Sequence, residues 1–402
     1  MLSAFATNAM IPTFNDANGF ARADVTLETW RSAPYSRWSF QNLRDLVPTA
    51  EIACETVEAE VAVESSLFLA GSIDAGLEDV STISGFLDYA HTDAFVVMRD
   101  GRIVAEHYAP HADVNARHVV FSVSKSLTAV VSGILEAEGV IDPDKPVTHY
   151  LPEAAGSAYG DCSYRDVLDM RVSLDFEEVY LDRLGAFARY RRAMLWNPPE
   201  PGLPAETLPS FLFTLRKAER PHGGPFFYAS PNSDLLGVII ERATKMRFPE
   251  LMSDLLWKPM GAKNHAYVTV DAIGTPRTAG GICVTARDLA RVGELLRTGG
   301  ASAGRQVVPS AWIKDMRTAG DHDAWAAGSN TSLPNGRYRS QWYQSGEADG
   351  AYCAIGIHGQ WLYVDPSTDT VIVKLSSQPN PLDDELKQDN FAFFRAICQM
   401  AF

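Results

Sequence analysis

Serine and lysine stand three residues apart in Phe121-Ser122-Val123-Ser124-Lys125. If this stretch opens a helix, about 3.6 residues per turn puts both side chains on one face, an amine beside a hydroxyl. A serine hydroxyl needs a neighbouring base to attack at neutral pH. A lysine supplies one when burial or nearby positive charge lowers its pKa. N–H groups at the helix start would also face a developing oxyanion. Lys125 is the only lysine in the chain with a serine three residues before it. Taken alone, the pattern reads more readily as a helix-capping serine and a solvated lysine.

Two further stretches carry candidate chemistry. In Tyr228-Ala229-Ser230-Pro231-Asn232 a phenol could relay a proton, and Ser230 could hold Lys125 or the substrate by a hydrogen bond. The same stretch also reads as a turn with a half-buried tyrosine. In Gly356-Ile357-His358-Gly359-Gln360 the glycines allow a ligand to approach the backbone, so an N–H here could be a second oxyanion donor. His358 by itself reads as a packed strand histidine. No GxSxG, Walker A, GxGxxG or HExxH pattern occurs, and the histidines show no metal spacing. No metal and no cofactor is expected.

These residues need elements to hold them. Ala94–Met98 and Ile103–Glu106 flank Asp100-Gly101, a hairpin signal. From Ser122 the apolar period becomes helical through Leu127, Val130, Val131, Ile134 and Leu135, and Gly139 is placed to stop the helix near Glu138. Tyr164–Met170 and Leu235–Thr244 also read as helices. Residues 196–209 hold five prolines and read as a loop, a candidate lid. Thr285 is placed to cap a helix through Leu296. Gly359–Val364 and Thr370–Leu375 read as a hairpin, and Asn390–Met400 as a final helix over that sheet. Residues 1–60 read as an extended aromatic arm. The fold class is therefore α/β of the α+β type: an antiparallel sheet flanked by helices, with an inserted mainly helical domain. Residues 1–120 and 275–402 form the discontinuous α/β domain, residues 121–274 the helical one, and the site lies between them.

The chain has 402 residues, 46% of them hydrophobic, enough for a large core. With 35 basic against 50 acidic residues the net charge is −15, which disfavours nucleic acid as a partner. No run of ~18 apolar residues offers a membrane span. Met1–Phe20 contains no Lys or Arg, so no secretory leader is read and a cytoplasmic setting is expected, a mature chain with its leader removed being the other case. Five scattered cysteines without CxxC spacing read as reduced core thiols.

In this order the three motifs resemble the serine β-lactamase and penicillin-binding superfamily. A closer resemblance, over most of the chain, is to the 6-aminohexanoate-dimer hydrolases (nylon-oligomer hydrolases) and related carboxylesterases. The matching stretches are FSVSKSL at 121–127, VLDM at 167–170, the Tyr180 region, YASPNSDLLG at 228–237, GGICVTARDLARVG at 280–293, GIHGQWLYVDP at 356–366 and VIVKLSSQPNP at 371–381. The resemblance implies a β-lactamase-like fold and an acyl-enzyme on Ser122. Lys125 is then its base, Tyr228 a shared proton relay, and the N–H groups of Ile357 and Ser122 the oxyanion hole. It also implies that Tyr180 reaches over the substrate amide. The chain departs from the wider superfamily in two places. Ser230 replaces the asparagine of Tyr-x-Asn, and Ile357-His358 replaces the cation of Lys-Thr-Gly. The loop after Tyr180 carries Arg183, Arg189, Arg191 and Arg192, where a substrate ammonium would prefer carboxylates; Glu177, Glu178 and Asp182 are near only in sequence.

The leading expectation is a serine hydrolase of small esters or linear amides. Ser122, Lys125 and Tyr228 are catalytic in this reading, and Ile357, Tyr180, Ser230 and His358 form the oxyanion and substrate contacts. A D-Ala-D-Ala peptidase or β-lactamase, and a silent binding protein of the same fold, are the alternatives. A silent relative would be expected to have lost one of the three catalytic candidates, and all are present. The oligomeric state stays open, a homodimer included.

Overall fold

The computed structural model describes residues 13–74, 76–77, 79–182, 184–328 and 333–400. The first twelve residues of the expected arm, and of the stretch searched for a leader, lie outside them, as does Arg183.

A seven-stranded antiparallel sheet is built from both ends of the chain. Its strands are β2 (Thr92–Arg99), β3 (Arg102–Tyr108), β9 (Arg337–Arg339), β10 (Trp342–Gln344), β11 (Tyr352–Gly356), β12 (Gln360–Asp365) and β13 (Thr370–Ser376), in the order β3-β2-β13-β12-β11-β10-β9. A smaller sheet joins β1 (Thr49–Ile52), β4 (His118–Val119), β5 (Ala266–Thr269) and β6 (Ile282–Val284) in the order β1-β5-β6-β4. A two-stranded ribbon, β7 (Ala301–Ser302) and β8 (Arg305–Gln306), completes the strands.

Local chemistry sets the β2–β3 hairpin. Its turn needs two successive positive φ angles, and Asp100 (47°) and Gly101 (74°) provide them. Alternation then divides the sheet between two cores. Val96, Met98, Leu362, Val364, Val371 and Val373 face one core, which the Val123–Ala137 and Ala286–Arg297 helices cover. Phe95, Val97, Trp361, Tyr363 and Ile372 face the other, with Phe86 and Leu87 of the Ile83–Tyr89 helix and Phe393, Phe394 and Ile397 of the Asp384–Gln399 helix. A sheet buried on both faces explains why β12 and β13 read as near-continuous apolar runs.

The expected hairpins, the Ser122 helix and the Thr285 cap are present. Gly139 takes φ 71° just past Glu138, and the Thr285 hydroxyl accepts the Asp288 N–H at 3.1 Å. Four bounds differ from the sequence reading. The helix expected from Leu235 starts at Ser230, because Pro231 fits a first turn, where its missing N–H has no helical partner to lose. The Tyr164 helix ends at Leu168, before Met170 turns to φ 55°. The last helix starts at Asp384, where the Asp383 carboxylate accepts the Leu386 N–H at 2.9 Å. Within the proline-rich loop, Thr207 caps a short Leu208–Leu212 helix, so the irregular part ends there. The smaller sheet was not anticipated. Its β1 comes from the arm, and its β5 lies inside the stretch read as mainly helical. All five cysteines are buried and unpaired. Among the described residues, no helix is long and apolar enough to cross a membrane.

Candidate active site

The chain leaves β4, turns sharply at Phe121 (φ 42°) and enters the Val123–Ala137 helix with Ser122 at its N-cap. Lys125, one turn on, is 1% exposed. Its Nζ donates to Ser122 Oγ at 2.8 Å and to the Ala279 carbonyl at 2.7 Å. Burial lowers this amine from an ordinary 10.5 to about 7; Arg277 adds to the fall, while Glu178 and Asp234 oppose it. Tyr228 closes the third side, its ring centroid 5.1 Å from Lys125 Nζ. Burial, then the Glu178 charge, raise the phenol, and its hydrogen bond with Ser122 opposes them. The three sequence-predicted side chains thus meet at one point.

The backbone supplies the other half of the site. β11 ends at Gly356, where a Cβ would stand 2.6 Å from the Val120 carbonyl oxygen, so the absence of a side chain lets the strand approach the turn before Ser122. Ile357 follows. Among the described residues, no protein acceptor takes up the N–H of Ser122 or of Ile357, and both residues border the same cavity. Gln360 fixes the turn: its Nε2 donates to the carbonyls of His358 (3.0 Å) and Ser376 (2.7 Å).

His358 does not serve the cavity beside Ser122. Its Nδ1 meets the Gln378 carbonyl at 2.7 Å, its ring packs on Phe40 and Phe121, and burial lowers it to about 4, so it is a neutral packing group. Ser230 does not hold Lys125 either. Its Oγ donates to Glu178 Oε2 at 3.1 Å and its N–H to Glu178 Oε1. The same carboxylate accepts the Tyr180 hydroxyl at 2.8 Å. Glu178, which the sequence placed only nearby, therefore joins Tyr180 to the start of the Ser230 helix. Tyr180 is half-buried and borders the cavity; burial and Glu178 raise its phenol.

A second support was missed in the sequence. Asp234 Oδ1 accepts the Ala279 N–H at 2.8 Å, and the Ala279 carbonyl holds Lys125. Asp234 is itself fixed by Arg277 and by the Tyr190 hydroxyl at 2.5 Å. The signal for Asp234 was its place in a helix-start segment beside Tyr228; Arg277 had none. The cavity holds about 180 Å³ and extends from Ser122 along Tyr343, Ile355, Trp361 and Phe391. Among the described residues, no cluster of His, Cys, Asp and Glu is placed to hold a metal ion.

A two-face-covered antiparallel sheet beside a helix that starts with Ser-x-x-Lys defines a β-lactamase-like hydrolase. The β-lactamase family model matches residues 82–396, and the chain belongs to that family. It is 40% identical over 366 residues to the 6-aminohexanoate-dimer hydrolase of Paenarthrobacter ureafaciens, covering 90% of this chain and 91% of that one. Among solved structures it resembles a Bacillus anthracis protein provisionally assigned as a 6-aminohexanoate-dimer hydrolase (TM-score 0.85, 24% identity, 94% of this chain and 97% of that one). It also resembles a D-stereospecific amidohydrolase from a Streptomyces species (TM-score 0.58, 19% identity, 77% and 95%). These two likenesses concern the fold.

Proposed function

We propose that this hydrolase cleaves small esters and linear amides through an acyl-enzyme on Ser122. The observation that carries this reading is the 2.8 Å contact between Ser122 Oγ and a buried amine lowered to about 7. Neutral Lys125 takes the Ser122 proton as Oγ attacks the substrate carbonyl carbon. The N–H groups of Ser122 and Ile357 hold the oxyanion. The proton passes by way of Tyr228 to the leaving oxygen or nitrogen, and the C–O or C–N bond breaks. Water then attacks the acyl carbon, giving its proton to Lys125, and the acid leaves as Oγ regains a proton. Tyr180, oriented by Glu178, hydrogen-bonds a leaving amide nitrogen. The 40%-identical relative named for a linear amide dimer supports this substrate class. The cavity takes residues from 121–274 and from 275–402, which fits the two-domain division with the site between. Buried, unpaired cysteines fit a reducing, cytoplasmic setting.

A fluorophosphonate followed by intact-mass analysis tests the reading. One adduct should form on the wild-type chain and none on Ser122→Ala, which should also lose ester turnover by several orders of magnitude. An unlabelled wild type, or a labelled Ser122→Ala, overturns it.

A further inference from the structure

The space beside Ser122 continues past Tyr180 and Ile357 to the N-terminal arm, and two guanidinium groups, Arg31 and Arg191, border it there. Their neighbours Arg189 and Arg192 are paired with Glu206 and Glu200. Arg31 and Arg191 have no carboxylate within 4.0 Å among the described residues. Arg31 donates to the Trp196 carbonyl (3.2 Å) and Asn197 Oδ1 (2.6 Å). Arg191, 9% exposed, donates to the carbonyls of Tyr180 (2.8 Å) and Asp182 (2.6 Å), and its buried Nε has no partner. Every acceptor is neutral, so neither guanidinium is paired, and the Asp182 charge acts on Arg191 only from a distance. The carboxylates nearby are committed elsewhere or remote. Asp182 accepts the N–H groups of Leu184 and Gly185, Glu178 holds Tyr180 and Ser230, and Glu28 sits on the exposed outer rim.

Two like charges side by side, Arg191 buried and Arg31 half-buried, are costly with no anion in contact, and a bound anion relieves both at once. Burial, then the Arg191 charge, lower the Arg31 guanidinium from an ordinary 12.5 to about 9. We propose that Arg31 and Arg191 form an anion subsite, so that the preferred substrate carries a carboxylate at the far end of one of the two chains leaving the scissile bond. Its placement relative to the scissile bond rests on the assignment of Ser122 as nucleophile. Planar guanidinium forks match carboxylate geometry. The other chain then lies along the apolar wall of Ile355, Trp361 and Phe391.

Two matched pairs test this, one for each side of the bond. On the acyl side, p-nitrophenyl hexanoate is compared with the mono-p-nitrophenyl ester of adipate. On the leaving side, N-pentylbutanamide is compared with N-butanoyl-5-aminopentanoate. In one pair the carboxylated member should have at least about tenfold higher kcat/KM, the worth of a charge-assisted hydrogen bond. Arg31→Gln should remove most of that ratio and Arg31→Lys should keep part of it. Arg31 carries the test because Arg191 also holds the Tyr180 loop. Ratios near one in both wild-type pairs, or a ratio unchanged in Arg31→Gln, overturn the subsite. Fluorophosphonate labelling separates the two readings. A labelled wild type with ratios near one leaves the hydrolase reading standing and the subsite refuted. An unlabelled wild type refutes the nucleophile; the subsite then still stands if N-butanoyl-5-aminopentanoate binds Ser122→Ala protein and Arg31→Gln weakens that binding at least about tenfold by calorimetry.

Discussion

Replacing Lys125 by methionine should abolish activity and, at low pH, stabilise the protein. A fall from 10.5 to about 7 corresponds to about 5 kcal/mol at ~1.4 kcal/mol per pH unit, the cost of holding the charged amine in this pocket. Below pH 7 folded and unfolded chains are both protonated, so the whole cost applies. Between pH 7 and 10.5 only the unfolded chain holds the proton, and stability rises with pH. Above 10.5 the effect is gone. Methionine escapes the cost but loses the hydrogen bonds to Ser122 and Ala279, about 1–2 kcal/mol together. Lys125→Met should therefore exceed wild type by about 3 kcal/mol at pH 6 and fall below it by up to about 1 kcal/mol at pH 10, where about 1 kcal/mol of the charging cost remains. Urea unfolding of both proteins at pH 6, 8 and 10 reads the swing. Lys374 is also buried and lowered to about 7, but it is common to both proteins and cancels. The kinetics must agree with the stability. About half of Lys125 is neutral at pH 7, against about one part in 3,000 for an ordinary amine. Ester kcat/KM should thus climb about tenfold per pH unit below pH 6 and level off above pH 8. A stability difference that does not change with pH, together with a flat rate profile, would show that Lys125 stays charged and is not the base.

Tyr180→Phe should depress amide hydrolysis at least about tenfold more than p-nitrophenyl ester hydrolysis, because only the amine leaving group needs a proton as it departs; an equal loss on both substrates assigns Tyr180 to the core machinery. Glu178→Gln removes a charge that holds the Lys125 pKa up, so the acid limb of the ester rate profile should move to lower pH, and a limb that moves upward or stays fixed contradicts the electrostatics. Gly356→Ala pushes a methyl group to 2.6 Å from the Val120 oxygen and should displace the Ile357 N–H, costing about 10²-fold in kcat with little change in KM; unimpaired turnover would remove Ile357 from the oxyanion hole.

What the sequence made legible was local. Ser122 and Lys125 are fixed by helical spacing, and the Asp100-Gly101 turn by its φ requirement, so both could be read without tertiary information. The motif order then carried the family and hence Tyr228 and Ile357. The errors came where contacts distant in sequence decide. SPNSD at 230–234 has the composition of a turn, yet it forms the first turn of a helix because its polar groups find buried partners: Gln341 for Ser233, and Arg277 with Ala279 for Asp234. Glu178 joins Tyr180 to Ser230 across 52 residues of chain, and no periodicity signals such a link. His358 was drawn to the site by its motif, but its positive φ of 60° sets its ring on the aromatic side of the turn.

The arm shows how elbow and specificity are tied together. Phe121 holds φ 42°, a conformation that costs a residue with a side chain about 1–2 kcal/mol. It is kept there by an aromatic cage: Trp30 stacks on it at 6.2 Å, and Phe40 and Trp196 meet it edge-on at 5.0 and 6.0 Å. Trp30 and Phe40 are fully buried and come from the arm. The residue that follows Trp30 is Arg31, whose guanidinium lies 4.9 Å from the Trp30 ring centroid and reaches the loop after Trp196. One short segment thus braces the turn that presents Ser122 and delivers a cation beside it. The two side chains meet at the Trp196 carbonyl, yet ring and charge are removed by different substitutions: loss of the Trp30 ring should lower kcat for every substrate, whereas loss of the Arg31 charge should act through the substrate's own charge.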